Sequence, residues 1–198
     1  MRHESEEFLR ALVETPSPSG FEQAAQEVWK GYVGEYAHEV RKDVHGNCIA
    51  LLNPQGSPWV MLAGHVDEIG FMVTYVDKEG YIFFSPIGGH DPNIISGQRL
   101  VVTGGKGPVT GVVGKKAVHL TTPEERRKTP QIDQMWLDIG AKSKKEAEKM
   151  VSVGDPITYG AGYEKLMGGL AVSRGFDDKV GCFTVAEAVR LASRRKLK

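Results

Sequence analysis

The chain has 198 residues, 25 Lys plus Arg against 25 Asp plus Glu, and 40% hydrophobic residues. This is an ordinary globular composition with room for one large domain or two small ones. A formal net charge of zero excludes the basic excess of a nucleic-acid binder, two cysteines exclude a disulfide framework, and no apolar run approaches transmembrane length.

The first residues carry no apolar signal core, so the expectation is a protein of the reducing cytoplasm with no membrane partner and no nucleic acid. Phe8, Leu9, Leu12 and Val13 recur at helical spacing and predict an amphipathic helix. Thr15-Pro16-Ser17-Pro18-Ser19-Gly20 stops it, and Ser19 is placed to cap the next helix. Ala24, Ala25, Val28, Trp29, Tyr32, Val33 and Tyr36 form the stripe of that second helix, whose aromatics read as core. Residues 38–43 and 47–52 read as two strands around a His45-Gly46-Asn47 turn. Cys48 and Cys182 sit in apolar surroundings and are expected to pack as small hydrophobes.

After a loop at 53–58, the run Trp59-Val60-Met61-Leu62-Ala63 predicts a buried strand. It delivers Gly64-His65-Val66-Asp67-Glu68-Ile69-Gly70. In extended chain, residues i and i+2 face the same way, so His65 and Asp67 project together from a strand end. Ligands and catalytic groups collect at such ends in an open α/β sheet. An imidazole and a carboxylate on one face suit a metal site or an acid/base site; a solvated surface turn is the plain alternative.

Beyond Gly70 the character changes. Residues 71–76, 81–85, 98–103, 108–113 and 136–139 are β-rich and closely spaced, which predicts a small barrel or sandwich. Gly104-Gly105-Lys106-Gly107 reads as a hairpin turn, since it lacks the spacing of a phosphate loop. Residues 122–128 read as a charged helix or loop, and Ser143-Lys144-Lys145-Glu146 as a capping box. The domain expectation is an α/β domain of residues 1–70 and 161–198 with a β-domain of residues 71–160 inserted.

A second chemical stretch, Arg174-Gly175-Phe176-Asp177-Asp178-Lys179-Val180-Gly181, comes after a predicted strand at 170–173 and opens a helix with Val180, Phe183, Ala186 and Val189 on one side. Asp178 can cap that helix. One aspartate suffices for a cap, so the other is free to face a cleft, where a carboxylate between two cations can bridge them.

Gly-His-x-Asp-Glu-x-Gly at 64–70 with Gly-x-Asp-Asp-Lys-x-Gly at 175–181 resembles the tetrahedral or deblocking metallo-aminopeptidases. These include glutamyl aminopeptidases, and some relatives carry cellulase or endoglucanase labels. Ile87-Gly88-Gly89, Gly97-Gln98-Arg99, the 106–114 stretch, Asp138-Ile139-Gly140-Ala141 and Val153-Gly154-Asp155-Pro156 are similar to that family's inserted domain. The resemblance implies an α/β fold, a zinc-aminopeptidase-like three-layer domain with an inserted small β-barrel-like domain that serves oligomerisation. It implies removal of N-terminal residues from peptide substrates, two divalent metal ions (zinc or cobalt) and a homo-oligomer. It further implies that His65 binds one metal, Asp177 bridges both, and Asp67 is the catalytic residue that orients His65.

The sequence departs from that pattern at its end. The family's later Glu-Glu pair, which supplies the general base and a ligand, has no counterpart here, nor do the later Asp and His ligands. His3, His38, His45, His90 and His119 lie outside any motif that replaces them, and His90 reads as structural. The expectation is an N-terminal portion only, whether fragment, truncated gene product or one part of a split enzyme, short of the three ligands of an active zinc site. The alternative is a non-catalytic homologue that keeps the oligomerising insert. Glycoside cleavage ranks below both, since it leaves the histidine unexplained.

Overall fold

In the computed structural model, which describes residues 1–197, the helical spacing near the N-terminus produces α1 (His3–Glu14) and buries Phe8, Leu9, Leu12 and Val13. Next come α2 (Gln23–Val33) and the hairpin strands β1 (Glu39–Lys42) and β2 (Cys48–Leu51). A β-rich stretch then holds β3 (Gly70–Val76), β4 (Ile82–Ile87), β5 (Arg99–Gly104), β6 (Gly107–Gly114), the short helix α3 (Pro123–Arg126), β7 (Trp136–Asp138), α4 (Lys144–Ala147) and β8 (Pro156–Tyr159). The chain returns through β9 (Glu164–Lys165) and β10 (Ala171–Val172) to α5 (Phe176–Ala192). Two units result: residues 1–68 with those from 162 on, and residues 69–161.

The second unit is a closed barrel in the order β3-β4-β7-β6-β5-β8. Every paired neighbour is antiparallel, with Phe71 opposite Ile157, Val102 opposite Val109 and Val113 opposite Leu137. Alternate residues point inward, and Phe71, Val73, Ile82, Leu100, Leu137 and Ile157 are fully buried. Closure removes the sheet edges that would otherwise invite pairing with another chain. The glycine-rich stretch is a hairpin turn, with Gly104 opposite Gly107 and Gly107 at φ +94°. His90 is structural: Nδ1 meets the Tyr159 hydroxyl at 3.0 Å, Nε2 meets the Gly70 carbonyl at 2.8 Å, and the ring stacks on Phe71. The full capping box sits at Thr122. At Ser143 only half of the expected box forms, because Glu146 takes the Lys142 N–H instead of the Ser143 N–H.

In the first unit α1, α2 and α5 enclose a core of Phe8, Leu12, Ala25, Trp29, Val33, Cys182 and Ala186. Trp29 Nε1 donates to the Cys182 carbonyl at 2.9 Å, which fixes α2 against α5. Cys182 packs as a small hydrophobe, and burial pushes its thiol up to about 11. Cys48 is half-buried.

Three expectations fail here. Residues 59–63 do not form a strand: Trp59, Val60, Met61 and Leu62 are all exposed, and none of their backbone groups hydrogen-bonds to a described residue. A strand exists only with a ladder partner, and none lies beside them. The predicted 170–173 strand shrinks to β10, paired antiparallel with β9 alone. Among the described residues, no sheet of the first unit exceeds two strands. Finally, Val180 of the expected α5 stripe is exposed, while Ala186 is buried and Phe183 and Val189 pack against the core. Lys179 and Arg190 are buried beside them because carboxylates meet them inside.

One of those carboxylates is Glu187. It accepts from Arg190 through Nε and Nη2, both at 2.8 Å, from Ser5 Oγ at 3.0 Å, and from the Tyr32 hydroxyl, joining α1, α2 and α5. Arg190 first, then Tyr32 and Ser5, holds its carboxyl down to about 2 against a partial burial cost. A carboxyl depressed by folding contributes stability above its ordinary pKa near 4.5, lost as pH falls towards 2. Glu187→Gln is therefore expected to cost about 1–3 kcal/mol at neutral pH. In urea unfolding at a series of pH values, the gap between variant and parent should close between about pH 4.5 and 2. A gap that stays constant across that range would contradict this account.

Candidate functional site

The site is built where two distant stretches meet. Glu68 and Lys179 are both buried and lie 3.0 Å apart. Glu68 Oε1 also accepts from the Ser17 backbone N–H at 2.9 Å, and Oε2 pairs with Arg174 Nε at 3.2 Å. Lys179 Nζ donates to the Thr15 carbonyl at 2.7 Å, and Arg174 Nη2 donates to the Glu14 carbonyl. Those carbonyls belong to the C-terminal end of α1, where a cation is favourable. Burial pushes the Lys179 ammonium below the usual lysine range, and Glu68 partly restores it. The 15–18 loop is stitched in as well: Glu68 N donates to the Ser17 carbonyl at 2.9 Å, and Ser17 Oγ to the Val66 carbonyl at 2.7 Å. Sequence reasoning gave Glu68 and Lys179 no role. A buried pair leaves no periodic signal, and only their presence within the two motif stretches could have flagged them.

Backbone packing brings the stretches closer still. A Cβ on Gly64 would lie 2.7 Å from the Cys182 nitrogen and 2.8 Å from the Gly181 carbonyl carbon, so the 64–67 segment runs directly against the start of α5. Asp178 has non-helical torsions near the start of α5 and caps the turns that follow, accepting from the Gly181 N–H at 3.1 Å. Asp177 is left facing outward, its side chain 95% exposed.

His65 sits between the other two candidates. Its Nδ1 is 3.0 Å from Asp67 Oδ1, and its Nε2 is 3.3 Å from Asp177 Oδ1. Asp67 Oδ2 in turn accepts from Ser19 Oγ at 2.5 Å. Ser19 therefore does not cap α2, whose N-cap is Glu22 with no side-chain bond. It steadies the carboxylate behind the histidine, a role that spacing does not reveal.

The chemistry of this row is specific. With Nδ1–H given to Asp67, the neutral ring presents a lone pair at Nε2 to a carboxylate oxygen. Two acceptors 3.3 Å apart are reconciled by a proton on the ring or by a cation that both share. Two donors on one tetrahedral zinc, each about 2.0–2.2 Å from it, stand about 3.3–3.6 Å from one another. Histidine ligands also commonly give their second nitrogen to a carboxylate. His65 and Asp177 thus suit two positions of a metal shell, with Asp67 behind His65. They do not complete one: among the described residues, no group of three or more His, Cys, Asp or Glu is arranged to hold a metal ion.

Residues 46–198 match the family described as M42 glutamyl aminopeptidase. Over 188 residues the chain is 32% identical to the lysyl aminopeptidase of Pyrococcus furiosus, covering 93% of this chain and 54% of that protein. Its fold superposes with a TM-score of 0.92 on the TET aminopeptidase of Thaumarchaeota archaeon SCGC AB-539-E09, at 38% identity over 96% of this chain and 54% of that one. It superposes at 0.82 on a Pyrococcus horikoshii TET1 peptidase described as assembling into a tetrahedron or a large octahedral shell, at 29% identity over 94% and 56% of the two chains. The chain therefore spans about half the length of these relatives.

Three substitutions probe the junction. Lys179→Met should cost about 3–5 kcal/mol in denaturant unfolding, since it leaves a buried carboxylate short of a partner. Adding Glu68→Gln should cost less than the sum of the two single changes, and strict additivity would show that the pair is uncoupled. Gly64→Ala should lower stability by about 1–3 kcal/mol, because backbone rather than a flexible side chain stands in the way; an unchanged melting temperature would refute the close approach.

Proposed function

The chain belongs to the M42 glutamyl aminopeptidase family, and from that premise we propose that it carries the His65 and Asp177 portion of a dinuclear, metal-dependent aminopeptidase that removes N-terminal residues from peptides. The observation that carries this reading is the facing pair, His65 Nε2 and Asp177 Oδ1 at 3.3 Å, with Asp67 on the opposite ring nitrogen.

In this reading His65 would hold one divalent ion, zinc or cobalt, and the outward Asp177 carboxylate would be shared between two. Bound there, such ions would supply an activated water and polarise the scissile carbonyl. The chain's own groups do the positioning. Asp67 fixes which nitrogen of His65 is free and how the ring is turned, and Ser19 holds Asp67. Asp178 is occupied by the α5 cap, which leaves Asp177 as the available carboxylate.

Among the described residues no third donor completes the shell, so the chain by itself is proposed to be a poor peptidase that needs polypeptide equivalent to the rest of its relatives. With that polypeptide the first unit would become a three-layer α/β domain, and the barrel unit would be the inserted domain through which copies of this chain would assemble; the Pyrococcus horikoshii TET1 peptidase is described as forming a tetrahedron or a large octahedral shell. No helix among the described residues is long and apolar enough to cross a membrane, and peptides in the cytoplasm are the proposed substrates. The same shortage of donors favours one alternative, a non-catalytic homologue that keeps the assembling insert.

Titration of the purified chain with cobalt, monitored by its visible absorption, separates the two. The proposal expects weak uptake that is abolished by His65→Ala and weakened about 10–100-fold by Asp67→Ala. It also expects negligible turnover of an amino-acyl chromogenic substrate. Absence of cobalt uptake would favour the non-catalytic reading. Robust turnover lost in His65→Ala would show that the site is more complete than its visible donors.

A further inference from the structure

The barrel unit carries a cavity of its own, with a volume of about 600 Å³. Its lining comes mainly from the segment that leads from β6 to β7 and includes Val118, Pro130 and Met135, the last a member of the barrel core. Every strand of the barrel comes from this chain, so the cavity belongs to a closed unit.

Four cations stand at the cavity, Lys115, Lys116, Arg126 and Lys128, against one carboxylate, Glu125. Glu124 and Asp133 adjoin lining residues in sequence but do not line it. Glu125 is already engaged: Lys116 Nζ donates to its two oxygens at 2.8 and 3.1 Å, and the Thr122 N–H donates at 2.7 Å. Arg126 turns to neutral oxygens, donating through Nε to the Thr121 hydroxyl at 3.1 Å and through Nη2 to the Thr121 carbonyl at 3.2 Å. Lys115 and Lys128 have no partner among the described residues. Three positive charges therefore surround one concave space unanswered, in a chain whose formal net charge is zero. A lone surface lysine is simply solvated. Like charges gathered around a cleft raise its potential and attract an anion.

The segment is braced without the two free lysines. Thr122 and Glu125 form a capping box, Thr121 Oγ1 donates to the Val118 carbonyl at 2.6 Å, and Gln131 Nε2 donates to the Thr129 carbonyl at 3.0 Å. The backbone that carries the cations is thus ordered before a ligand arrives, which lowers the cost of binding. The kind of donor selects the kind of anion. A carboxylate is best held by a guanidinium fork, and the Nε–Nη2 edge of Arg126 is taken by Thr121. What remains is two ammonium point charges and Nη1 of Arg126, which reward charge density. A phosphate monoester brings about −1.5 to −2 in one group, with three strong acceptor oxygens.

We propose that this cavity binds a phosphate-bearing small molecule, its phosphate held by Lys115, Lys128 and Arg126 and its body resting on Val118 and Met135. The site goes beyond the peptidase reading and does not rest on it.

The test is isothermal titration calorimetry on the full chain, free of metal, with inorganic phosphate, pyrophosphate, citrate and triglutamate as probes. Pyrophosphate is expected to bind one per chain with a dissociation constant of about 1 mM or below, tighter than phosphate, and to weaken as salt rises. Citrate and triglutamate, which carry comparable charge on carboxylates, should bind at least about tenfold more weakly. Lys115→Gln with Lys128→Gln should weaken pyrophosphate about tenfold or more. Arg195→Gln with Lys196→Gln removes the same charge elsewhere and should change nothing. A second measurement needs no variant: pyrophosphate should slow acylation of Lys115 and Lys128 by acetic anhydride, read by mass spectrometry, and leave Lys196 unaffected.

Absence of saturable binding would overturn the proposal, as would equal loss in both double variants, which would make the attraction non-specific. Binding of citrate or triglutamate as tight as that of pyrophosphate would overturn the phosphate assignment. Slow acylation of the two lysines without any anion would show that the cavity is already covered. These readouts are independent of cobalt uptake and of turnover, so failure here leaves the peptidase reading standing.

Discussion

The buried Glu68–Lys179 pair is the contact on which the first unit depends. Glu68 closes the His-x-Asp-Glu stretch and Lys179 closes the Asp-Asp-Lys stretch, 111 positions apart. Bringing two charges out of water is costly, and their mutual attraction offsets it only when every remaining donor and acceptor is also met. Here they are met: the carboxylate takes the Ser17 amide and Arg174 as well, and the ammonium takes the Thr15 carbonyl. The surplus positive charge is placed at the C-terminal carbonyls of α1, where the helix dipole favours it. Such an arrangement adds little net stability over an apolar one. It makes other arrangements expensive, because any slip strands a buried charge.

That constraint explains how an open site can be ordered. His65, Asp67 and Asp177 are substantially exposed, at 57%, 37% and 95% of their side chains, and exposed ion pairs hold little by themselves. Their geometry is inherited from what lies beneath. Glu68 pins the chain just after Asp67, Lys179 pins it just after Asp178, and the bare Gly64 lets the two backbones touch. The facing groups His65 Nε2 and Asp177 Oδ1 are then held together by the scaffold.

The two units solve the problem of sheet edges in opposite ways. The barrel unit closes on itself and leaves no edge. The first unit keeps two short ribbons and a bare apolar run, with backbone groups unused on both.

Much of this was legible in the residues themselves. Periodicity marked α1 and α2, because one-sided burial writes itself into spacing, and the His45-Gly46-Asn47 turn marked the β1–β2 hairpin. Strand alternation and glycine turns announced the β-rich unit, though closure into a barrel rather than a sandwich came from which strands pair. His65, Asp67 and Asp177 were legible from residue chemistry at strand and helix ends, and Asp178 as the cap. What only the tertiary structure decided is everything that depends on a partner distant in sequence. Lys179 and Arg190 are buried because Glu68 and Glu187 come to meet them, and Ser19 leaves its helix to hold Asp67. Residues 59–63 have the sequence of a buried strand and lack the neighbours that would make them one. Spacing records which face of an element is apolar; it does not record who arrives to cover that face, and burial, charge pairing and strand pairing are all properties of the arrival.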